Sequence, residues 1–213
     1  MVQLTPLSSL PYPQPADAAN IPQHLQSLAS ALDGRTVLRL ATTVALNSVS
    51  APVTGMLAWV TNPGRYYYYT GSYWHPVLPT PVLKLNPVAG TTTSATYADA
   101  LTGSTGDTMV TAFTAPPSGT VIVTVGARIS SSVATATGLM SVTVKQGTTV
   151  TLATADTRAA VSVGTGQSSV STLFQVSGLT GGVAYTATPA YRSSAASSTA
   201  TFANRFLRVD PVH

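Results

Sequence analysis

From Thr120 to Ser130 the odd-numbered positions, Val121, Val123, Val125, Ala127 and Ile129, are all apolar. Between them stand Thr120, Ile122, Thr124, Gly126, Arg128 and Ser130. A period of two places successive side chains on opposite sides of an extended backbone, so this stretch reads as a strand with one face in a core. Met140, Val142 and Val144 alternate with Ser141, Thr143 and Lys145 in the same way. Further strand-like runs cover residues 108–114, 149–153, 159–163, 169–176, 183–191 and 199–209. Turns such as Pro116-Pro117-Ser118-Gly119, Gln146-Gly147 and Thr180-Gly181-Gly182 separate several of them, and 193–198 reads as a long hairpin loop. About eight strands in roughly 120 residues predict an antiparallel β-sandwich over residues 91–213, a jelly roll first and an immunoglobulin-like sandwich second.

Charge is scarce. Only 8% of the 213 residues are charged, against about 25% in ordinary soluble domains, and all six acidic residues are Asp. Such a surface is made of Ser, Thr, Gly and Ala, with few lysines to guard sheet edges, so closure by topology or by neighbouring subunits is expected. The ten basic residues form no stripe that tracks phosphates, which argues against a nucleic-acid partner. Met1-Val2-Gln3-Leu4 lacks the basic start and apolar run of a signal peptide. No apolar stretch reaches the roughly 18 residues of a membrane span. Synthesis in the cytoplasm is the expectation.

Residues 1–34 read as an extended arm followed by a helix. Pro6, Pro11, Pro13 and Pro15 forbid a helix before Ala16. Asn20 and Gln23 form a capping-box-like pair, Pro22 fits a first turn, and Gly34 is a stop. The helix is predicted from about Ile21 to Asp33. Its Ile21, Leu25, Leu28 and Leu32 fall at coiled-coil spacing. Two uses of that seam stand open: packing on the chain's own domain, or a bundle with sister helices.

Residues 35–78 contain the densest aromatic stretch, TGMLAWVTNPGRYYYYTGSYWHPV from Thr54 to Val77. Met56–Thr61, Tyr66–Tyr69 and Tyr73–Val77 predict a three-stranded meander, its first turn a type II built on Asn62-Pro63-Gly64. Leu57 and Trp59 fall on one face; Met56, Ala58 and Val60 fall on the other. Both faces of the tyrosine strand are aromatic, so cover is needed on both sides. Trp59, Tyr67, Tyr69 and Trp74, with the four seam residues, are the candidate oligomer interface. A sugar-stacking platform is the other use of the same aromatics. Thr36–Thr43 reads as a short apolar strand with Arg39 in its middle and Val44–Ser50 as a turn region, and the prolines at 76, 79, 81 and 87 mark residues 79–90 as a stiff linker.

The runs Gly55-Met56-Leu57-Ala58-Trp59-Val60, Gly64-Arg65-Tyr66-Tyr67-Tyr68-Tyr69 and Gly71-Ser72-Tyr73-Trp74 resemble a small module of minor tail and fibre-type structural proteins of tailed bacteriophages, of the actinobacterial-phage kind. Leu10-Pro11-Tyr12-Pro13, Asp17, Ile21-Pro22, Leu25, Leu28-Ala29 and Leu32-Asp33 resemble the start of such proteins, and Thr201 to Pro211 resembles their closing strand. Arg205 and Arg208 in that strand are three apart, so they face opposite ways and form no anion clamp, and both read as interfacial charges. The resemblance implies a component of the virion surface, in tail or head.

Catalytic signatures are missing. His24, His75 and His213 are isolated, although one histidine per chain on a threefold axis would supply three metal ligands. Asp99, Asp107, Asp156 and Asp210 show no pairing of the kind glycoside hydrolysis needs. Gly164-Thr165-Gly166 opens no helix and so offers no phosphate cradle. No enzyme, no metal and no cofactor is therefore expected. The expectation is a homotrimeric minor tail or fibre protein, attached to other virion proteins by its N-terminal arm and contacting a host cell-surface glycan through its distal domain. A head fibre or capsid decoration protein is the first alternative, and a carbohydrate-binding module using Tyr66–Tyr69, Tyr185 and Tyr191 is the second.

Overall fold

The computed structural model describes residues 3–4, 10–12, 20–32, 36–104 and 109–212. The chain is mainly β and forms two compact units, Met1–Pro79 and Thr80–His213.

In the first unit, β1 (Gln3–Leu4) and β2 (Pro11–Tyr12) pair antiparallel. Helix α1 (Ile21–Leu32) follows, with the anticipated cap. The Gln23 N–H donates to Asn20 Oδ1 at 3.2 Å, and Asn20 Nδ2 donates to Gln23 Oε1 at 3.1 Å. The stop at Gly34 lies outside the described residues. Next come β3 (Leu38–Thr42), α2 (Thr43–Asn47), β4 (Leu57–Asn62), β5 (Arg65–Tyr69) and β6 (Trp74–Pro76), in a sheet ordered β3-β4-β5-β6.

This sheet has four strands rather than three. The additional one, β3, runs parallel to β4, with Leu38 opposite Ala58 and Leu40 opposite Val60. A parallel pair requires a crossover, and the stretch expected as a turn supplies it by folding into α2, capped by Thr42 Oγ1 accepting from the Ala45 N–H at 3.3 Å. The β4–β5 turn also departs from the type II expectation. The last pair is Val60 with Arg65, and the Gly64 N–H reaches the Val60 carbonyl at 2.9 Å across a cis Asn62–Pro63 bond. Leu46 of α2 packs with Ala58, Val60 and Tyr67, flanked by Leu38, Leu40 and Trp74. Cover for one face of the aromatic sheet is therefore internal.

The second unit contains β7 (Val82–Asn86), β8 (Gly90–Thr92), β9 (Thr111–Thr114), β10 (Val121–Ser131), β11 (Thr137–Gln146), β12 (Thr149–Leu152), β13 (Ala160–Val163), β14 (Ser168–Val176), β15 (Ala184–Ser193) and β16 (Ala200–Pro211). One sheet is ordered β14-β10-β16-β7, with β8 also on β16; the other is ordered β12-β11-β15-β9, with β13 also on β11. The segment anticipated as a linker is thus largely part of the sandwich: Val82 to Asn86 pairs with Val209 to Arg205. The proline spacing concealed it, because Pro81 and Pro87 flank the strand without interrupting it. The segment 193–198 is likewise no hairpin loop, since β15 and β16 belong to different sheets.

The predicted inward residues meet between the sheets. Val121, Val123, Val125 and Ile129 pack with Met140, Val142 and Val144 and with Tyr191, Phe202 and Leu207. Outward on β10, a Cβ at Gly126 would lie 2.5 Å from the Phe206 ring and 2.7 Å from the Val170 carbonyl oxygen, so the ring occupies the space that the missing side chain leaves. The outer face of β11 is not open. Ser141 is fully buried, donating through Oγ to the Ala155 carbonyl at 3.1 Å and accepting from the Ala155 N–H at 3.3 Å.

Candidate functional site

The alternation of β4 and β5 divides the aromatic sheet by parity. Ala58, Val60 and Tyr67 face Leu46 and are buried. Trp59 and Tyr66 are cross-strand partners on the other face, with ring centroids 4.9 Å apart, and Leu57 lies opposite Tyr68 beside them. Leu57 and Tyr66 are exposed. Trp59, Gly64, Arg65, Tyr66, Val77 and Leu78 line a groove along this face that is mostly apolar, and Leu78 is almost wholly in solvent. Tyr68 lies 5.6 Å from the His75 ring, centroid to centroid, and Tyr73 lies 6.2 Å from it. Tyr69 stacks obliquely on Trp74 at 5.3 Å.

The eight expected interface residues therefore fall into three groups. Tyr67 and Trp74 belong to the unit's own core, with Tyr69 against Trp74. Trp59 lies on the open face. Ile21, Leu25, Leu28 and Leu32 lie on α1, which buries no residue; Ile21, Leu25 and Leu32 are exposed and Leu28 is half-buried. Ile21, Leu25 and Leu28, with His24, line an apolar hollow closed on its other side by Leu10, Pro11 and Tyr12. The seam thus faces the arm but leaves most of its apolar surface in water.

Two polar clusters in the second unit had no sequence signal. Asp156 accepts from the Tyr97 hydroxyl at 2.9 Å and from Arg192 Nε at 3.0 Å, and it also forms an ion pair with the second Arg192 nitrogen. The Arg192 guanidinium lies over the Tyr97 ring, 5.5 Å from its centroid. The hydrogen bonds from Arg192 hold the Asp156 carboxyl below its usual range. Burial, followed by the hydrogen bond to Asp156, pushes the Tyr97 phenol up to about 12. These residues are separated by 59 and 36 positions, so only the fold brings them together.

A raised phenol contributes stability that is complete below its unfolded value, near 10, and is lost as pH rises through about 12. Tyr97→Phe should accordingly lower the unfolding temperature at pH 8 by a few degrees, equivalent to about 1 kcal/mol after solvent screening. The gap to the unmutated chain should narrow between pH 10 and 12. Calorimetry across that range checks it.

The other cluster is internal. Arg205 is only 4% exposed. It donates to Tyr191 Oη at 3.3 Å, to the Val88 carbonyl at 3.1 Å and to Ser104 Oγ, and it lies 5.6 Å over the Tyr191 ring. The expectation that both arginines of β16 are interfacial is corrected for this one. A register shift between Gly126 and Arg128, with Asn204 at φ 49°, turns Arg205 into the sandwich. Arg208 faces outward as expected and pairs with Asp210 at 2.7 Å.

Tyr185 and Tyr191 are buried, which withdraws them from any sugar-stacking role and leaves the exposed Tyr66, with the half-buried Trp59 against it. Among the described residues, no group of three His, Cys, Asp or Glu side chains is placed to hold a metal ion, and no helix is long and apolar enough to cross a membrane. His213 and Asp107 lie outside the described residues. Compared with protein-family models and with curated proteins, the chain has no match.

Proposed function

We propose that this chain is a structural protein of a tailed-phage virion, a homotrimer of minor tail or fibre type assembled at the particle surface. The observation that carries the reading is the apolar surface the first unit leaves in water: Ile21, Leu25 and Leu32 along α1, and Leu57, Tyr66, Val77 and Leu78 around the aromatic groove. Soluble monomers seldom expose contiguous apolar patches beyond a few hundred Å². Three copies brought together through α1 and the outer face of the sheet remove that surface from water. The resemblance of the Gly55–Val60 and Gly64–Tyr69 runs to phage tail modules supplies the biological setting.

We read the sandwich as a jelly roll displayed outward. Its support is the strand order: β10 and β11, β14 and β15, and β15 and β16 are successive strands that lie in opposite sheets, and each sheet has four strand positions once β7/β8 and β12/β13 are taken as shared edges. Host contact is assigned to one end of it. There the loops at 131–138 and 192–198 meet, with the Thr137 N–H donating to Ser194 Oγ at 2.7 Å. A head fibre or capsid decoration protein would use the same surfaces at a different position on the particle. The exposed Tyr66, packed on the half-buried Trp59, keeps a glycan-binding module as the second reading.

Truncation tests the assignment. A chain lacking residues 1–34 should fold yet fail to enter particles, as read by immunoblotting of purified virions. Particles carrying a chain cut after Pro79 should assemble but adsorb to host cells at least tenfold less well. Normal incorporation of the first truncation would refute the role of the arm, and unchanged adsorption with the second would refute host contact.

A further inference from the structure

We infer that the lateral sides of the sandwich join the copies head to tail, the β14 side of one chain against the β7 side of the next. The inference rests on the trimer reading and adds to it a surface of the second unit. Within the strands of that unit, the large apolar side chains left exposed are Leu83 and Leu85 on β7, Val150 on β12, Val161 and Val163 on β13, and Leu173 on β14. Every one stands on a strand at the margin of its sheet, and the inner strands β10, β11, β15 and β16 expose none. Marginal strands of a soluble monomer are ordinarily guarded by charges or prolines, yet β12, β13 and β14 contain neither. Among the described residues, no backbone hydrogen bond reaches β14 from any strand but β10.

Register and size identify a sister copy as the occupant. All ladders of this sheet are antiparallel, so β14 and β7, three steps apart, run in opposite directions. Leu83, Arg208, Thr124 and Leu173 form one row across it, each opposite the next. A copy rotated about an axis along the strands therefore sets its β7 antiparallel to β14 and brings its Leu83 level with Leu173, on the same outer face. The contact joins two different surfaces, as a closed ring of three requires. The two sides also match in length: β14 pairs with nine residues of β10, while β7 and β8 together flank β16 from Val209 to Ala200. Sheets about 10 Å apart, with their outward side chains, make a side about 20 Å thick, and nine paired residues run about 30 Å, so each seam buries about 1,200 Å² in total, the lower end of the range for specific association. The contacts through α1 sustain a seam of that size, because tethering raises the effective concentration to the millimolar range.

The chain contains no cysteine, so introduced thiols report on the seam alone. Within one chain, positions 83 and 173 are three strand spacings, about 14 Å, apart, beyond the reach of a disulfide. Oxidation of the full-length Leu83→Cys/Leu173→Cys protein is therefore expected to give a covalent trimer on non-reducing gels, while neither single variant cross-links. Leu85→Cys/Leu173→Cys is a second variant, expected to give the same trimer with a bismaleimide too short to span the sheet. All three side chains are exposed, so these substitutions leave the core untouched. Light scattering on the same samples separates the failures. A trimer mass with no covalent trimer from either double variant overturns this inference alone, whereas a monomer mass overturns the trimer reading along with it. Dimers from Leu173→Cys alone would show a twofold contact, and a cross-link in intact particles only to a different virion protein would give the side to that protein; either result overturns the head-to-tail seam.

Discussion

Replacing Leu25 and Leu28 together by Asp is expected to convert the free protein from a trimer to a monomer while leaving the sandwich folded. Both side chains lie on the α1 face that borders Leu10 to Tyr12, and Leu25 is mostly in solvent within one chain. Each leucine fully buried in an assembly contributes about 1.5 to 3 kcal/mol, and the symmetry repeats that contribution in every copy. Carboxylates in their place would have to be desolvated next to one another, which costs more than the contact returns. The two units have separate cores, so circular dichroism should still report the sandwich and its cooperative unfolding. A double variant that kept the mass of the unmutated protein would show that α1 does not join the copies.

The second large effect belongs to Arg205. Arg205→Ala should destabilise the sandwich by about 3 kcal/mol, since it leaves the buried Tyr191 hydroxyl and the part-buried Val88 carbonyl and Ser104 Oγ without their donor. Part of that loss is offset, because the guanidinium itself is buried with its Nε unpartnered. Tyr191→Phe removes one of the three bonds and should cost about 1 kcal/mol. Denaturant unfolding of both variants measures the difference. An Arg205→Ala chain within 1 kcal/mol of the unmutated protein would contradict the role assigned to this cluster.

These clusters also show where sequence reasoning ended. β10 and β11 were legible because their alternation is long and unbroken, and the cap of α1 was legible because Asn20 and Gln23 are local to each other. Helix α2 was not, since five residues are too few to display a helical period and only Leu46 is buried. β7 was hidden between prolines that are harmless at its ends. The inward turn of Arg205 depends on a register shift between β10 and β16, which no pattern within either strand encodes. The Tyr97–Asp156–Arg192 cluster depends on two connecting segments meeting the end of β15 across the fold. The division of the aromatics into a buried Tyr67 and an outward-facing Trp59 and Tyr66 was partly legible: parity separated the faces, but the crossover that covers one of them was not visible.

The central claim is that this chain is a surface component of a virion, present as three copies per assembly. Electron microscopy of intact particles, with an antibody fragment bound to the sandwich, tests it most directly. The account predicts fragments in threes at the outer surface of the tail or head, absent from particles whose copy of the chain lacks residues 1–34. Purified particles that carry neither the protein nor the bound fragment would contradict it.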